Sequence, residues 1–273
     1  MPNLLIVTDN AVGRAASLAA SSTAGALVAA NLASDSKSSV HRATGTSVSY
    51  TLTWAAAEPI GAVALPFCNL SPAATMRVRA YAANGTTVLY DSGAVLACPA
   101  PALRPRGFTA AQAASAYAYG GGACARRWFA QVNAFKLVID LVDSANPQGY
   151  IEAACLVAGP VWSPLYNAAA ASVSVIDRTD VARSAAGDQL AEPGTISRKV
   201  PVDLRAMPEV DRARFLALVR NSRAYPVLLS VFPEHPDLAL ERDFTVYGRR
   251  TRDSDIAYQF AGAYSSTLEI EEI

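Results

Sequence analysis

Residues 48–67 constrain the fold of this chain more than any other stretch. Val48, Tyr50, Leu52 and Trp54 alternate with Ser49, Thr51 and Thr53, the two-residue period of a strand with one buried face. A continuous apolar run from Ile60 to Phe67 follows, as in a strand covered on both faces. Met76, Val78 and Ala80 then alternate with Arg77, Arg79 and Tyr81. Asn84-Gly85 precedes Thr86–Tyr90, the signature of a two-residue hairpin whose type I′ turn takes φ > 0 twice. Many short strands separated by turns predict a β-sandwich.

Residues 144–164 extend this pattern. Asn146-Pro147-Gln148-Gly149 has the chemistry of a tight turn, since Pro presets φ and Gly tolerates φ > 0. Tyr150–Val157 reads as a buried strand stopped by Gly159-Pro160, and Phe135–Asp140 as its hairpin partner. The segment Asn146-Pro147, Gly149-Tyr150-Ile151-Glu152, Gly159, Trp162, Pro164 resembles the one that closes the galactose-binding-like (discoidin-type) jelly roll in tail proteins of bacteriophages and prophages. Ile60–Ser71, with Leu65-Pro66 and Asn69-Leu70-Ser71, is similar to another strand of the same domain.

The second half has a different rhythm. Strands are expected at 173–176 and 195–202. A helix then starts at Pro208-Glu209-Val210-Asp211, with Pro in the first turn and acids near the positive end. Phe215, Leu218 and Val219 form its apolar face. Strands follow at 226–232, 244–250, 256–263 and 267–272. One helix against a small sandwich is similar to the tail-tube-like fold of long-tailed phages. Phe215–Arg220, Pro226–Pro233, Tyr247-Gly248 and Tyr264–Ile270 resemble the closing half of phage minor tail proteins. The expected division is a galactose-binding-like sandwich over 1–166 and a tail-tube-like, ring-forming domain over 167–273, joined near Tyr166–Ala171. These resemblances imply a structural component of a tail tip or baseplate, in a distal-tail or minor-tail role. Its partners would be tube, hub and tip proteins, in a ring of six or three copies, in a virion assembled in the bacterial host cytoplasm. The alternative is a module of the tail that binds a glycan on the host surface.

Composition excludes several other classes. The chain is 52% hydrophobic, 17% charged and neutral overall, a globular balance. Residues 1–166 carry 10 basic and 7 acidic side chains and the remainder 13 and 16, so neither half has the basic excess of a nucleic-acid binder. Twenty of the 23 cations are Arg, a residue suited to ion pairs between subunits. The Ala-rich stretch 11–32 is interrupted by Gly13, Arg14, Gly25 and many hydroxyl residues, so no membrane insertion is expected. Leu4–Val7 meets Asp9 with no basic residue before it, unlike a secretion signal. Cys68, Cys98, Cys124 and Cys155 lie 30, 26 and 31 residues apart, without the close spacing of a zinc site. Reduced, buried thiols and no metal or cofactor are therefore expected, although Cys98 and Cys124 flank one loop.

No catalytic residues emerge. The chain has two histidines, His41 and His235, and no Gly-x-Ser-x-Gly elbow. Asp140 and Asp143 read as the end of a strand and the start of a turn, and Glu152 as an edge or rim residue. Glu269, Glu271 and Glu272 read as a solvated tail available to Arg249, Arg250 and Arg252 of a neighbour. Among the aromatics, Trp54 has core parity, Trp128 introduces a strand and Trp162 caps the sandwich. Tyr117 and Tyr119, beside Gly120-Gly121-Gly122, are the candidate contacts for a partner or a glycan. A non-enzymatic protein is expected.

Overall fold

The structure, a computed structural model, describes residues 2–98, 100, 122–260 and 262–273. It is mainly β, as the pattern of the sequence requires. In chain order the first strands are β1 (Leu5–Val7), β2 (Ser17–Ala20), β3 (His41–Arg42), β4 (Ser47–Cys68), β5 (Thr75–Tyr81), β6 (Val88–Asp91), β7 (Val95–Leu96), β8 (Ala123–Val142), β9 (Glu152–Ala153), β10 (Val157–Gly159) and β11 (Val161–Trp162). The later strands are β12 (Ala170–Ala171), β13 (Ser174–Asp177), β14 (Asp180–Arg183), β15 (Gln189–Glu192), β16 (Ile196–Met207), β17 (Val227–Ser230), β18 (Thr245–Arg250), β19 (Ala257–Phe260) and β20 (Ala263–Glu272). Two α-helices, α1 (Glu209–Asn221) and α2 (Leu238–Asp243), lie between β16 and β18.

The alternating run and the apolar run do not form separate strands. They fuse into the 22-residue β4, which pairs antiparallel with the 20-residue β8 along its whole length. The register slips near Thr53/Glu58, Ile60/Ala62 and Leu65/Cys68, and such bulges bend a strand pair. The first half of β4 lies in a five-stranded layer with β2, β8, β5 and the β6–β7 line. Its second half lies in a second layer with β8 on one side and β10 and β9 on the other, β3 lying outside β9. Val48, Tyr50 and Leu52 from the first layer and Ile60, Val63 and Leu65 from the second belong to one buried core. The sandwich expected from the sequence is thus formed, with two strands crossing between its layers.

Local departures have local causes. Asn84-Gly85 does not make a type I′ turn. Gly85 donates to the Ala82 carbonyl at 2.9 Å and alone takes positive φ (70°), while Asn84 Oδ1 accepts from Thr86 N and Thr87 N. The Asn side chain thus closes a longer loop between β5 and β6. Residues 146–149 do turn, with Gly149 at φ 74° and bonded to the Asn146 carbonyl. Tyr150–Val157 is not one strand, however, and does not pair with Phe135–Asp140. Asn69 breaks it up by accepting from Glu152 N and donating to the Tyr150 carbonyl. The 135–140 stretch lies between β4 and β5 instead.

The second sheet runs β11-β1-β17-β18-β20-β16-β12, with β13 on β16 and β19 on β20. All six strands expected between 173 and 272 are present, and α1 buries Phe215 and Leu218 against β16 and β20. A second helix, α2, was not expected from the sequence. It is only six residues long and is held by Asp237, whose carboxylate accepts from Ala239 N and Leu240 N. The two sheets do not divide at residue 166. Leu5–Val7 joins the second sheet, opposite Leu228–Ser230 on one side and β11 on the other. Ile6 and Leu4 are fully buried in that core.

One histidine ties stability to pH. His41 is fully buried. Its Nε2 faces the Ser22 carbonyl at 3.1 Å, which fixes the proton there, and its Nδ1 accepts from the Tyr50 hydroxyl at 2.9 Å. Burial pushes its pKa below the usual value. The unfolded chain then binds a proton that the folded chain refuses, so stability rises with pH in that window and is lost on acidification. The melting temperature is expected to fall as pH drops through about 6.5, the unfolded histidine value. His41→Gln should flatten that part of the profile; an unchanged slope between pH 7 and pH 5 would remove His41 as its source.

Candidate functional site

The sandwich and the second module meet through small side chains. Ala62 and Ala64 on the outer face of the second layer, with Phe67 and Trp128, share a buried cluster with Val7, Leu228 and Tyr247. Gly159 is required here. A β-carbon on it would stand 1.9 Å from the Asp9 carbonyl oxygen, so only glycine lets the segment after β1 cross β10. That segment, Thr8-Asp9, is the floor of a groove between the modules.

The groove has two lobes of about 460 Å³ each, which share Thr8, Asp9 and Asn221. One lobe lies between Gln131 and Pro160 of the sandwich and Arg214 and Ala217 of α1. The other lies between Asn10, Arg14 and Asp35 on the sandwich side and Tyr225 and Tyr247 on the other. Its polar groups are held in place. Asn10 donates to the Leu156 carbonyl and accepts from Val12 N and Ala158 N. Arg14 bridges Asp9 and Glu58, each at 2.8 Å, and hydrogen bonds from Glu58 first and Asp9 second raise its pKa. The Tyr247 hydroxyl donates to Asp35 at 2.8 Å, and burial followed by the Asp35 charge holds it protonated. Tyr225 stands on the wall 69% exposed.

The α1 wall is set by Asp211, which is buried and accepts from Trp162 Nε1 at 3.2 Å and Leu165 N at 2.8 Å. Trp162 therefore does not cap the sandwich. It packs on Phe215 in the second module, because the pairing of β11 with β1 carries it there. Trp54 keeps its core place and donates to the Ala11 carbonyl. Trp128 lies inside β8 rather than at its start.

Tyr117 and Tyr119, the site residues singled out from the sequence, lie outside the described residues. The acids near 140–152 do not form a pair across a cleft. Asp140 binds Ser49 and Arg79, Asp143 accepts from Ser71 N and Oγ at 2.7 and 2.6 Å, and Glu152 binds Arg42 at 2.6 Å. Glu152 is buried rather than at a rim. The terminal acids are not free for a neighbour either: Glu269, Glu271 and Glu272 pair with Lys199, Arg178 and Arg198 of the same chain. The groove itself escaped sequence reasoning, because its residues come from 8–14, 35, 131 and 214–247 and carry no motif.

Among the described residues no set of three or more His, Cys, Asp or Glu is placed to hold a metal ion, and no helix is long and apolar enough to cross a membrane. All four cysteines are free. Cys68 Sγ donates to the Ala123 carbonyl at 3.2 Å and Cys98 Sγ faces the Ser71 carbonyl at 3.9 Å. Burial pushes the Cys124 thiol up to about 11 and the Cys155 thiol up to about 12. The thiolate is the reactive form, so alkylation at pH 8 should be slow in the folded protein and should reach four thiols per chain on unfolding. Fast labelling of Cys124 or Cys155 in the folded state would contradict this packing.

No protein-family model and no curated protein matches the chain. Solved structures do. The lectin domain of lectinolysin, complexed with Lewis B antigen, is similar at 15% identity and a TM-score of 0.36, over 56% of this chain and 98% of that domain. A Streptococcus pneumoniae fucose-binding module is similar at 11% and 0.38, over 55% and 96%. A Clostridium perfringens module, in complex with GalNAc-β-1,3-galactose, is similar at 11% and 0.37, over 52% and 94%. These structures are carbohydrate-binding modules; at such identities and scores the likeness bears on no residue of the groove.

Proposed function

We propose that this chain is a non-catalytic recognition protein that binds a glycan in the groove between its two modules. The observation that carries this reading is the groove's make-up. Hydrogen-bonding side chains held by their own partners, Asp9, Asn10, Arg14 and Asp35, face an exposed aromatic wall at Tyr225. Sugars offer hydroxyls that both donate and accept along with apolar ring faces that pack on aromatics, and preorganised polar groups bind them at low entropic cost. Tyr225→Ala should leave the melting temperature unchanged, because the side chain is exposed. It should weaken glycan binding about tenfold, roughly 1.4 kcal/mol, in calorimetric titration with a glycan identified on an array. Failure of the unaltered protein to bind any arrayed glycan would overturn the reading.

A second reading, a structural subunit of a phage-like tail tip, is favoured by a different observation. The hairpin β14–β15 pairs with nothing else among the described residues, is exposed along both strands, and presents Val181 (49% exposed) and Leu190 (58%). An isolated two-stranded hairpin is marginally stable in water, so a neighbouring subunit is its natural support. Native mass spectrometry at low salt should find a closed multimer, lost in the Val181→Asp, Leu190→Asp double variant. A monomer that never enters tail particles would sink this reading and leave the glycan reading standing.

A further inference from the structure

A smaller pocket of about 250 Å³ lies on the other side of the module interface, where β8 meets α2 and the loop before it. It holds about eight waters' worth of liquid volume, the scale of one sugar ring. Arg126, Arg127 and Trp128 of β8 line it from the sandwich, and Glu234, His235 and Glu241 from the second module.

Two buried N–H groups here lack acceptors among the described residues. Arg126 and Trp128 are 8% and 6% exposed, and Arg126 Nη2 and Trp128 Nε1 have no hydrogen-bond partner and no contact with bulk water. The rest of the guanidinium is engaged: Nε donates to Glu241 Oε1 at 2.8 Å and Nη1 to the Cys124 carbonyl at 3.3 Å. His235, partly exposed, adds a donor at the rim. Asp237 N donates to its Nδ1 at 2.9 Å, which places the ring proton on Nε2 as a donor. Native proteins rarely leave buried donors unmatched, and those they do leave call for an explanation. The backbone is also strained here: among the described residues Glu234 is the one non-glycine with positive φ, at 55°, and such strain gathers at ligand sites.

The charges select the ligand. Arg126 pairs with Glu241, and Arg127 lies 3.8 Å from Glu234, so the four charged side chains cancel. A carboxylate entering here would meet two others with its charge uncompensated. A neutral group with a strong acceptor fits better. Leu96 and Leu238 complete the lining and offer apolar contact for a methyl.

We propose that this pocket binds a neutral acetamido group, as carried by an N-acetylated sugar. Its carbonyl accepts from Arg126 Nη2 and Trp128 Nε1, its N–H donates to Glu234, and its methyl rests on Leu96 and Leu238. Leu96 and Arg127 are 53% and partly exposed, and they are the walls that yield to admit it. This site is separate from the groove and does not depend on the reading given to it.

The three tryptophans provide the test. Trp54 and Trp162 indoles already donate to the Ala11 carbonyl and to Asp211, so they serve as internal controls. In proton–nitrogen correlation spectra of the unaltered protein, N-acetylglucosamine and N-methylacetamide should each shift the Trp128 indole resonance, assigned with Trp128→Phe, and leave the other two in place. Glucose and sodium glucuronate should not move it. Glu234→Gly, which removes the acceptor for the amide N–H at an exposed position whose positive φ suits glycine, should raise the half-saturating N-acetylglucosamine concentration about tenfold with the fold intact. A Trp128 indole that ignores both amides at tens of millimolar would overturn the proposal, as would one that glucuronate moves equally far. A response to N-methylacetamide but not to the sugar would reject a sugar as the carrier.

Discussion

The antiparallel pairing of β4 with β8 is the interaction on which the rest of the molecule depends. Ser47 faces Val142 at one end and Cys68 faces Ala123 at the other. At about 3.3 Å per residue a strand of this length would reach some 70 Å if straight, several times an ordinary strand. The bulges fold this ribbon over, so the same two strands supply both layers of the sandwich. The inner faces make the core, and the outer face of the shorter layer remains for the second module.

That outer face explains where the groove and the smaller pocket fall. It is built from Ala62, Ala64 and Gly159, which let the modules approach closely in the middle. Bulkier and polar side chains surround that contact. The groove opens on the side of Thr8 and Asp9, and the smaller pocket on the side of Arg126 and Trp128. Arg126 faces Ala64 in register and Trp128 faces Ala62, so the strand that seals the interface also carries the unmatched donors of the pocket.

Much of this architecture was legible in the sequence, and what was missed has a common cause. Periodicity found β4, β5, β16, β20 and α1, because in each the burial pattern repeats over four or more residues. It also explains why Ile60–Phe67 is apolar on both faces: one face meets the sandwich core and the other the second module. The resemblance to a sandwich followed by a helix-bearing β-module anticipated two sheets. Three features lay beyond reach. The fusion of two runs into β4 depends on bulges, which leave no pattern. The helix α2 depends on a single capping aspartate in a six-residue turn. The groove is assembled from residues as far apart as Thr8 and Tyr247, and only the final packing brings Asp35 to Tyr247.

The place of β1 governs the order in which the chain acquires structure as it is made. Leu5–Val7 is synthesised before the rest of the sheet it joins, and Leu228–Ser230, its partners, follow more than two hundred residues later. At typical synthesis rates of about 5–20 residues per second, the strand spends roughly 10–40 s without them. The sandwich has all its own strands by Gly159 and is free to fold in that interval, so the second module closes around a body already formed. The sandwich is in effect an insert between the first strand of the second module and the remainder. Cutting the chain between the modules would leave β1 on the sandwich fragment and strip the other sheet of the strand that pairs with β17.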